Sequence, residues 1–240
     1  MRMIVYILLF TSLNAFSYTN DSLFAIGNYH YEHDSYEKAI ESYLAIDNTE
    51  HANALYHNLG NCYYQTGDIP KSILFYERAL LLKNDSQTQE NIKLAKKRIK
   101  EIESIPTLFF VRWWNSISQF LNTKHWIILS SVFVWISCFL LFLFLKNRQK
   151  VTFNLFLTAI AFTILLALVS QRSNHLSRKK YAIVLKNTPL LSNISDSKTS
   201  KTIAAGNKIE IIDNNYGEFS FIILQNGESG LISQSDIEDI

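Results

Sequence analysis

ALYHNLGNCYYQTGDIPKSILFYERAL, residues 54–80, decides how the first half of this chain folds. Apolar residues recur there at helical spacing on either side of Gly67-Asp68, the signature of two helices joined by a tight turn. Asp68 is placed to cap the second helix, and Pro70 falls in the first turn, where a helix tolerates it. Gly60 and Ser72 are small where two antiparallel helices would cross. Tyr63 and Tyr76 are large enough to fill the space between one helix pair and the next. Shifting the sequence by 33 residues finds a second copy, with Ile26-Gly27-Asn28, Ala39 and Tyr43 falling on Leu59-Gly60-Asn61, Ser72 and Tyr76. This first copy is the weaker one, with His30 in place of Tyr63 and Ile46 in place of Ala79.

With Tyr56, Leu59-Gly60, Tyr63, Ser72, Tyr76 and Ala79 in register, the stretch resembles the tetratricopeptide repeat. Residues 18–103 are accordingly expected to form an all-α solenoid of such repeats. Residues 85–103 would be its polar capping helix, N-capped by Asp85 or Ser86. The Lys93, Lys96, Lys97, Arg98 and Lys100 run on that helix is either a solvated face or an attraction for lipid. The resemblance implies a concave groove that binds extended peptides. Its lining would include Phe24, Asn28, Tyr31 and Glu32 from one repeat and His57, Asn61, Tyr64 and Gln65 from the next. Asn28 and Asn61 are matched positions, and an amide offers both donor and acceptor. They either hold a ligand's backbone or terminal carboxylate, or satisfy their own neighbours. His30, His33 and His57 have no cysteine or carboxylate at a recognised ligand spacing, so no metal site is expected.

Beyond the repeats, residues 126–145 and 151–170 are apolar, separated only by the charged KNRQK of residues 146–150. Each is long enough to cross a hydrocarbon core of ~30 Å at ~1.5 Å per residue. A turn this short places residues 1–125 and 171–240 on one side of the membrane. The expected spans carry no ionisable group other than the Cys138 thiol, which suits an anchor better than a conduit. Residues 104–125 are aromatic-rich and too interrupted to span. They read as an amphipathic helix lying in the interface with Trp113 and Trp114 at headgroup depth, or as a docking face against the repeats. Charge follows the same division. Residues 104–180 hold nine Lys/Arg and no Asp or Glu, whereas residues 1–103 and 181–240 net −3 and −4. That arrangement suits anionic lipid and excludes a nucleic-acid-binding module.

Residues 1–17 read as a secretory signal peptide cut near Ser17 or after Ala15, or as an uncleaved anchor. Either sends both soluble parts into the periplasm and leaves residues 146–150 in the cytosol. Cys62 belongs to a helical core pattern and Cys138 to a span, so no disulfide joins them. Glycosylation sequons at Asn20, Asn84 and Asn193 are chance matches in an Asn/Ser-rich chain.

After residue 181 the pattern changes to short β-branched runs, Ala182–Leu185, Lys208–Ile212 and Phe219–Leu224, punctuated by Gly, Asn and Asp. Asn226-Gly227 is a hairpin signal, and Gly230 begins a return strand. Residues 181–240 resemble bacterial SH3-like domains, which implies a small all-β barrel. The segment departs from them at Leu191–Ser195 and at Leu231, where a ligand-binding loop and a Trp are usual.

The succession of signal segment, repeats, IPTLFFVRWWNS, paired spans and SH3-like end resembles the BatE-type components of the Bacteroides aerotolerance (Bat) system. That resemblance implies a multidomain, multi-pass protein of the bacterial inner membrane, working beside von Willebrand A-type proteins in envelope stress or oxygen tolerance. The function expected is a non-enzymatic scaffold that presents repeats and SH3-like barrel to partner proteins. The alternative is an envelope sensor whose barrel reads cell-wall peptide. No nucleophile motif, phosphate loop or cofactor fingerprint appears.

Overall fold

The computed structural model describes residues 19–47, 52–192 and 199–240. The signal-like segment 1–17 and the Asn193 sequon lie outside the described residues. Helices α1 (Asn20–Glu32) and α2 (Tyr36–Leu44) form the first repeat, and α3 (Ala52–Thr66) and α4 (Ile69–Leu82) the second. Gly67 adopts φ +86°, which lets the chain turn. Asp68 then accepts the Lys71 N–H at 3.2 Å to start α4. A fifth helix, α5 (Ser86–Lys96), starts from Asp85, which accepts the Thr88 N–H at 2.8 Å.

Each repeat closes by setting a tyrosine of its second helix on a glycine of its first. A Cβ on Gly60 would lie 2.5 Å from the Tyr76 ring, and Gly27 meets Tyr43 in the same way. Tyr63 adds a stacked contact with Phe75, ring centroids 5.3 Å apart.

Helix α6 (Phe109–Phe120) precedes two long helices, α7 (Thr123–Asn147) and α8 (Lys150–Ser177), which pack side by side. Both are long and apolar enough to cross a membrane, and their most apolar stretches are almost entirely unburied. An isolated helical pair with bare Leu, Phe and Val would not stay dispersed in water. The pair supports association with a membrane. That association is coarser than the two-pass inner-membrane topology expected from sequence.

The C-terminal region is a second correction. Residues 181–240 do not form a closed SH3-like barrel. Strands β1 (Lys180–Val184), β2 (Thr188–Leu191), β3 (Thr199–Ile203), β4 (Lys208–Tyr216), β5 (Phe219–Ile223), β6 (Ser229–Ser233) and β7 (Ile237–Asp239) build an open antiparallel sheet. Their order is β3-β2-β6-β5-β4-β1-β7. Among the described residues β3 pairs with β2 and β7 with β1, and no ladder joins the two edges.

Strand β1 supplies a physical reason. Successive strand side chains point to opposite faces. Ala182 and Val184 enter the apolar cluster of the sheet, whereas Ile183 enters a cluster with Ile69, Ile73 and Leu74 of α4 and Ile92 of α5. A strand buried on both faces belongs to a sheet layered on helices.

Polar contacts reinforce this layer. Asn207, only 2% exposed, donates to the carbonyls of Lys100 and Ala204 at 3.0 and 2.9 Å and accepts the Ile102 N–H at 2.7 Å. Arg78 of α4 pairs with Glu238 at 2.9 Å and donates to the Asp239 carbonyl at 2.6 Å, covering edge strand β7. Glu77 is bridged by Lys208 at 2.7 Å and Lys96 at 3.5 Å. Repeats and sheet thus pack together, although the whole helical hairpin lies between them in the chain.

Candidate interaction groove

Asparagine and tyrosine make the same junction twice. The Asn28 Oδ1 accepts from the Tyr43 hydroxyl at 2.6 Å and from the Asn58 amide at 3.1 Å. The Asn61 Oδ1 accepts from Tyr76 at 2.7 Å and from Asn91 at 2.9 Å. Each junction ties the first helix of a repeat to its second helix and to the first helix of the next unit. All three residue positions advance by 33, so α5 stands where a third repeat would begin. Burial pushes the phenols of Tyr43 and Tyr76 far above their ordinary range, which keeps both as donors.

These junctions account for the carbonyl oxygens of the matched amides. Among the described residues neither Asn28 nor Asn61 has a partner for its Nδ2. Beside the second junction a cavity of about 250 Å³ opens. Tyr31 lines it from α1, Asn61, Tyr64 and Gln65 from α3, Tyr76 from α4, and Gln87, Asn91 and Leu94 from α5. No charged side chain lines it; Arg98 lies nearby, 4.1 Å from the centroid of the Tyr64 ring. Amides, phenols and one leucine offer hydrogen bonds and an apolar patch without a fixed charge. That chemistry suits the backbone of an extended peptide better than a carboxylate or phosphate.

Of the residues expected from sequence, the cavity gathers Tyr31, Asn61 and Tyr64. Asn28 occupies the first junction. Phe24 leans on the core, its ring 5.7 Å from that of Tyr43. The His57 Nδ1 meets Thr88 Oγ1 at 2.7 Å, and Thr88 in turn donates to Asp85 at 2.7 Å. Thr88 therefore accepts from a protonated Nδ1. Burial lowers the His57 pKa, with the Asp85 carboxylate opposing, so His57 stays neutral and braces α3 against α5. The structural set is mostly interior, with Ala39, Tyr43, Leu59, Tyr63, Ser72, Tyr76 and Ala79 all buried around Gly27 and Gly60.

Gln87, Asn91 and Leu94 were missed because α5 reads as a polar cap rather than as a groove wall. The pointer was available in the 33-residue shift, which carries Asn58 onto Asn91 and Asn61 onto Leu94. Among the described residues no group of three His, Cys, Asp or Glu side chains could hold a metal ion.

Residues 54–86 match the tetratricopeptide repeat family. No curated protein matches the chain. The whole-length resemblance to BatE-type components is therefore withdrawn. The match reaches one repeat, and the SH3-like end on which the resemblance relied is an open sheet. The scaffold carrying a barrel and the barrel-based cell-wall sensor fall with it. A tetratricopeptide-like helical region and two apolar helices stand. The tetratricopeptide repeat is a non-catalytic scaffold fold.

Proposed function

We propose that this chain is a membrane-anchored protein-interaction module whose repeats hold an extended, uncharged segment of a partner protein between α1, α3 and α5. The observation that carries this reading is the neutral, amide-lined cavity spanning the first helices of three successive units. The packing of the sheet against α4 supports it, because that contact occupies the second repeat's other side with the chain's own residues.

Partners are proteins of the same membrane or of the compartment that the repeats face. Repeats and sheet pack on each other with a pair of membrane-length helices between them in the chain, which supports a reading with both on one side. The signal-like start favours the periplasmic side of an inner membrane, with residues 146–150 in the cytosol. Reporter fusions at Asn84 and Asn226 should both read as exported, and a cytosolic signal from either ends this orientation.

The groove is tested by selecting peptides from a display library on the purified full-length protein. The double variant Gln87→Ala with Leu94→Ala should bind selected peptides at least about tenfold more weakly while melting at the same temperature, since it removes the hydrogen bonds of the Gln87 amide, at ~0.5–1.5 kcal/mol each, together with the apolar contact of Leu94. Equal affinity in that variant removes the cavity from the binding site.

A further inference from the structure

Helix α6 sets one face against the hairpin and leaves another bare. Trp114, Ile117 and Leu121 pack around Trp126 of α7 and Leu166 and Val169 of α8. The Arg172 Nε donates to Asn115 at 3.0 Å, and the Trp126 indole donates to the Ser118 carbonyl at 3.2 Å. Thr123, at the start of α7, bonds Ser173 at 3.0 Å. Asn115 and Thr123 thus meet adjacent residues of α8 although eight positions separate them. With the extended Leu121–Asn122 turn between them, the end of α6 and the start of α7 together cross α8 at this one level.

The crossing lies where α8 changes character. Residues 151–170 are apolar, whereas 171–180 hold Gln171, Arg172, Asn174, Arg178, Lys179 and Lys180. On the bare side Phe109, Trp113 and Phe120 are 77%, 62% and 81% exposed. At 100° per residue they fall within about 40° of one another. Ser116 borders this stripe, and Arg112, Gln119 and Asn115 take the sector beyond it. No acidic residue occurs from 104 to 180.

We propose that α6 lies in the membrane plane with Phe109, Trp113 and Phe120 in the boundary between headgroups and acyl chains, so that the bilayer itself covers this face. The aromatic composition, the crossing at the apolar-to-polar transition and the unopposed basic charge all match that layer. The proposal rests on α7 and α8 crossing the membrane. Its consequence is a fixed stand-off for the groove. The segment before α6 is strapped to the sheet through Ile102 to Asn207 and Ile105 to the Gln225 carbonyl, so seating α6 also seats the repeats.

The test reconstitutes full-length protein in vesicles of phosphatidylethanolamine and phosphatidylglycerol. Environment-sensitive fluorophores are attached to Trp113→Cys, Phe120→Cys and Gln119→Cys in a Cys138→Ala background; the remaining cysteine, Cys62, is fully buried. Lipid-borne nitroxide near the headgroup should quench labels at 113 and 120 at least about threefold more than the label at 119, as an in-plane amphipathic helix requires, with aqueous iodide giving the reverse order. Equal iodide access at 113, 119 and 120 overturns the proposal. So does protection at 113 and 120 that vanishes as the protein is diluted in lipid, which would assign the face to a second copy. Labelling the native Cys138 of α7 separates the two readings. Iodide access at Cys138 defeats the membrane-crossing helices themselves, whereas a shielded Cys138 with exposed 113 and 120 defeats α6 alone.

Discussion

The two repeats carry the same junction in different settings. In the second, Tyr76 donates to Asn61, which also accepts from Asn91, while α4 is backed by Ile183 of the sheet and clamped through Glu77 and Arg78. In the first, Tyr43 has the equivalent partners, Asn28 and Asn58, but its helix α2 packs in a cluster that contains no residue of the sheet. Each tyrosine also borders a cavity, so what separates the two repeats is the sheet behind α4. Stability should follow the backing rather than the motif.

The strongest way to break this comparison is to remove the backing. Asn207→Leu strands two carbonyls and one N–H at a site 2% exposed. With a buried unsatisfied group costing ~1–3 kcal/mol, the expected loss of unfolding free energy is about 3 kcal/mol in chemical denaturation. Hydrogen exchange should rise in α4 and stay unchanged in α2. A rise confined to α2 would show that the sheet does not support the second repeat.

A smaller effect sharpens the contrast. Gly60→Ala forces a methyl against the Tyr76 ring, and overpacking of this kind costs ~1–3 kcal/mol. Gly27→Ala makes the equivalent clash with Tyr43, whose helix α2 has no sheet behind it and can shift to relieve it. Thermal melts should therefore place Gly60→Ala below Gly27→Ala. The opposite order would mean that the sheet does not restrain α4.

The smallest effect appears in alkali. Tyr43 and Tyr76 have folded pKa values raised by burial above an ordinary 10.0. Folding holds the neutral phenol, so this stability is fully present below pH 10 and is lost as pH rises from there toward the folded values. Each phenol contributes a slope of at most about 1.4 kcal/mol per pH unit in that window. Tyr76→Phe and Tyr43→Phe should each flatten the decline, as read from melting temperature against pH. A profile unchanged in both variants would exclude these phenols as its source.

Residues 54–80 were legible because the information is local. A glycine, a capping aspartate and an early proline mark the turn, and tyrosines at fixed offsets repeat after 33 residues. Tyr31, Asn61 and Tyr64 could be singled out by the same repetition. What repetition could not separate is an amide oxygen engaged with Tyr76 from an amide nitrogen left without a partner, since both belong to Asn61. Strands β2, β3 and β7 gave little signal because Pro189 reads as a turn, Thr199–Ile203 is largely polar and β7 has three residues. The docking of the sheet did leave a trace. Ala182–Leu185 is continuously apolar where a barrel strand with one wet face would alternate.

By itself the sequence determined what depends on neighbours in the chain: two helix pairs at a 33-residue period, two helices of membrane length, and an uncompensated basic charge beside them. Tertiary structure alone decided that the sheet stays open and lies on α4, that Trp114 packs while Trp113 is bare, and that α5 walls a cavity. The reason is physical. Helical periodicity and length come from interactions within a few residues, whereas sheet closure, the second face of a strand and the choice between two adjacent tryptophans depend on segments distant in the chain, as Ile183 does on Ile73 and Trp114 on Leu166.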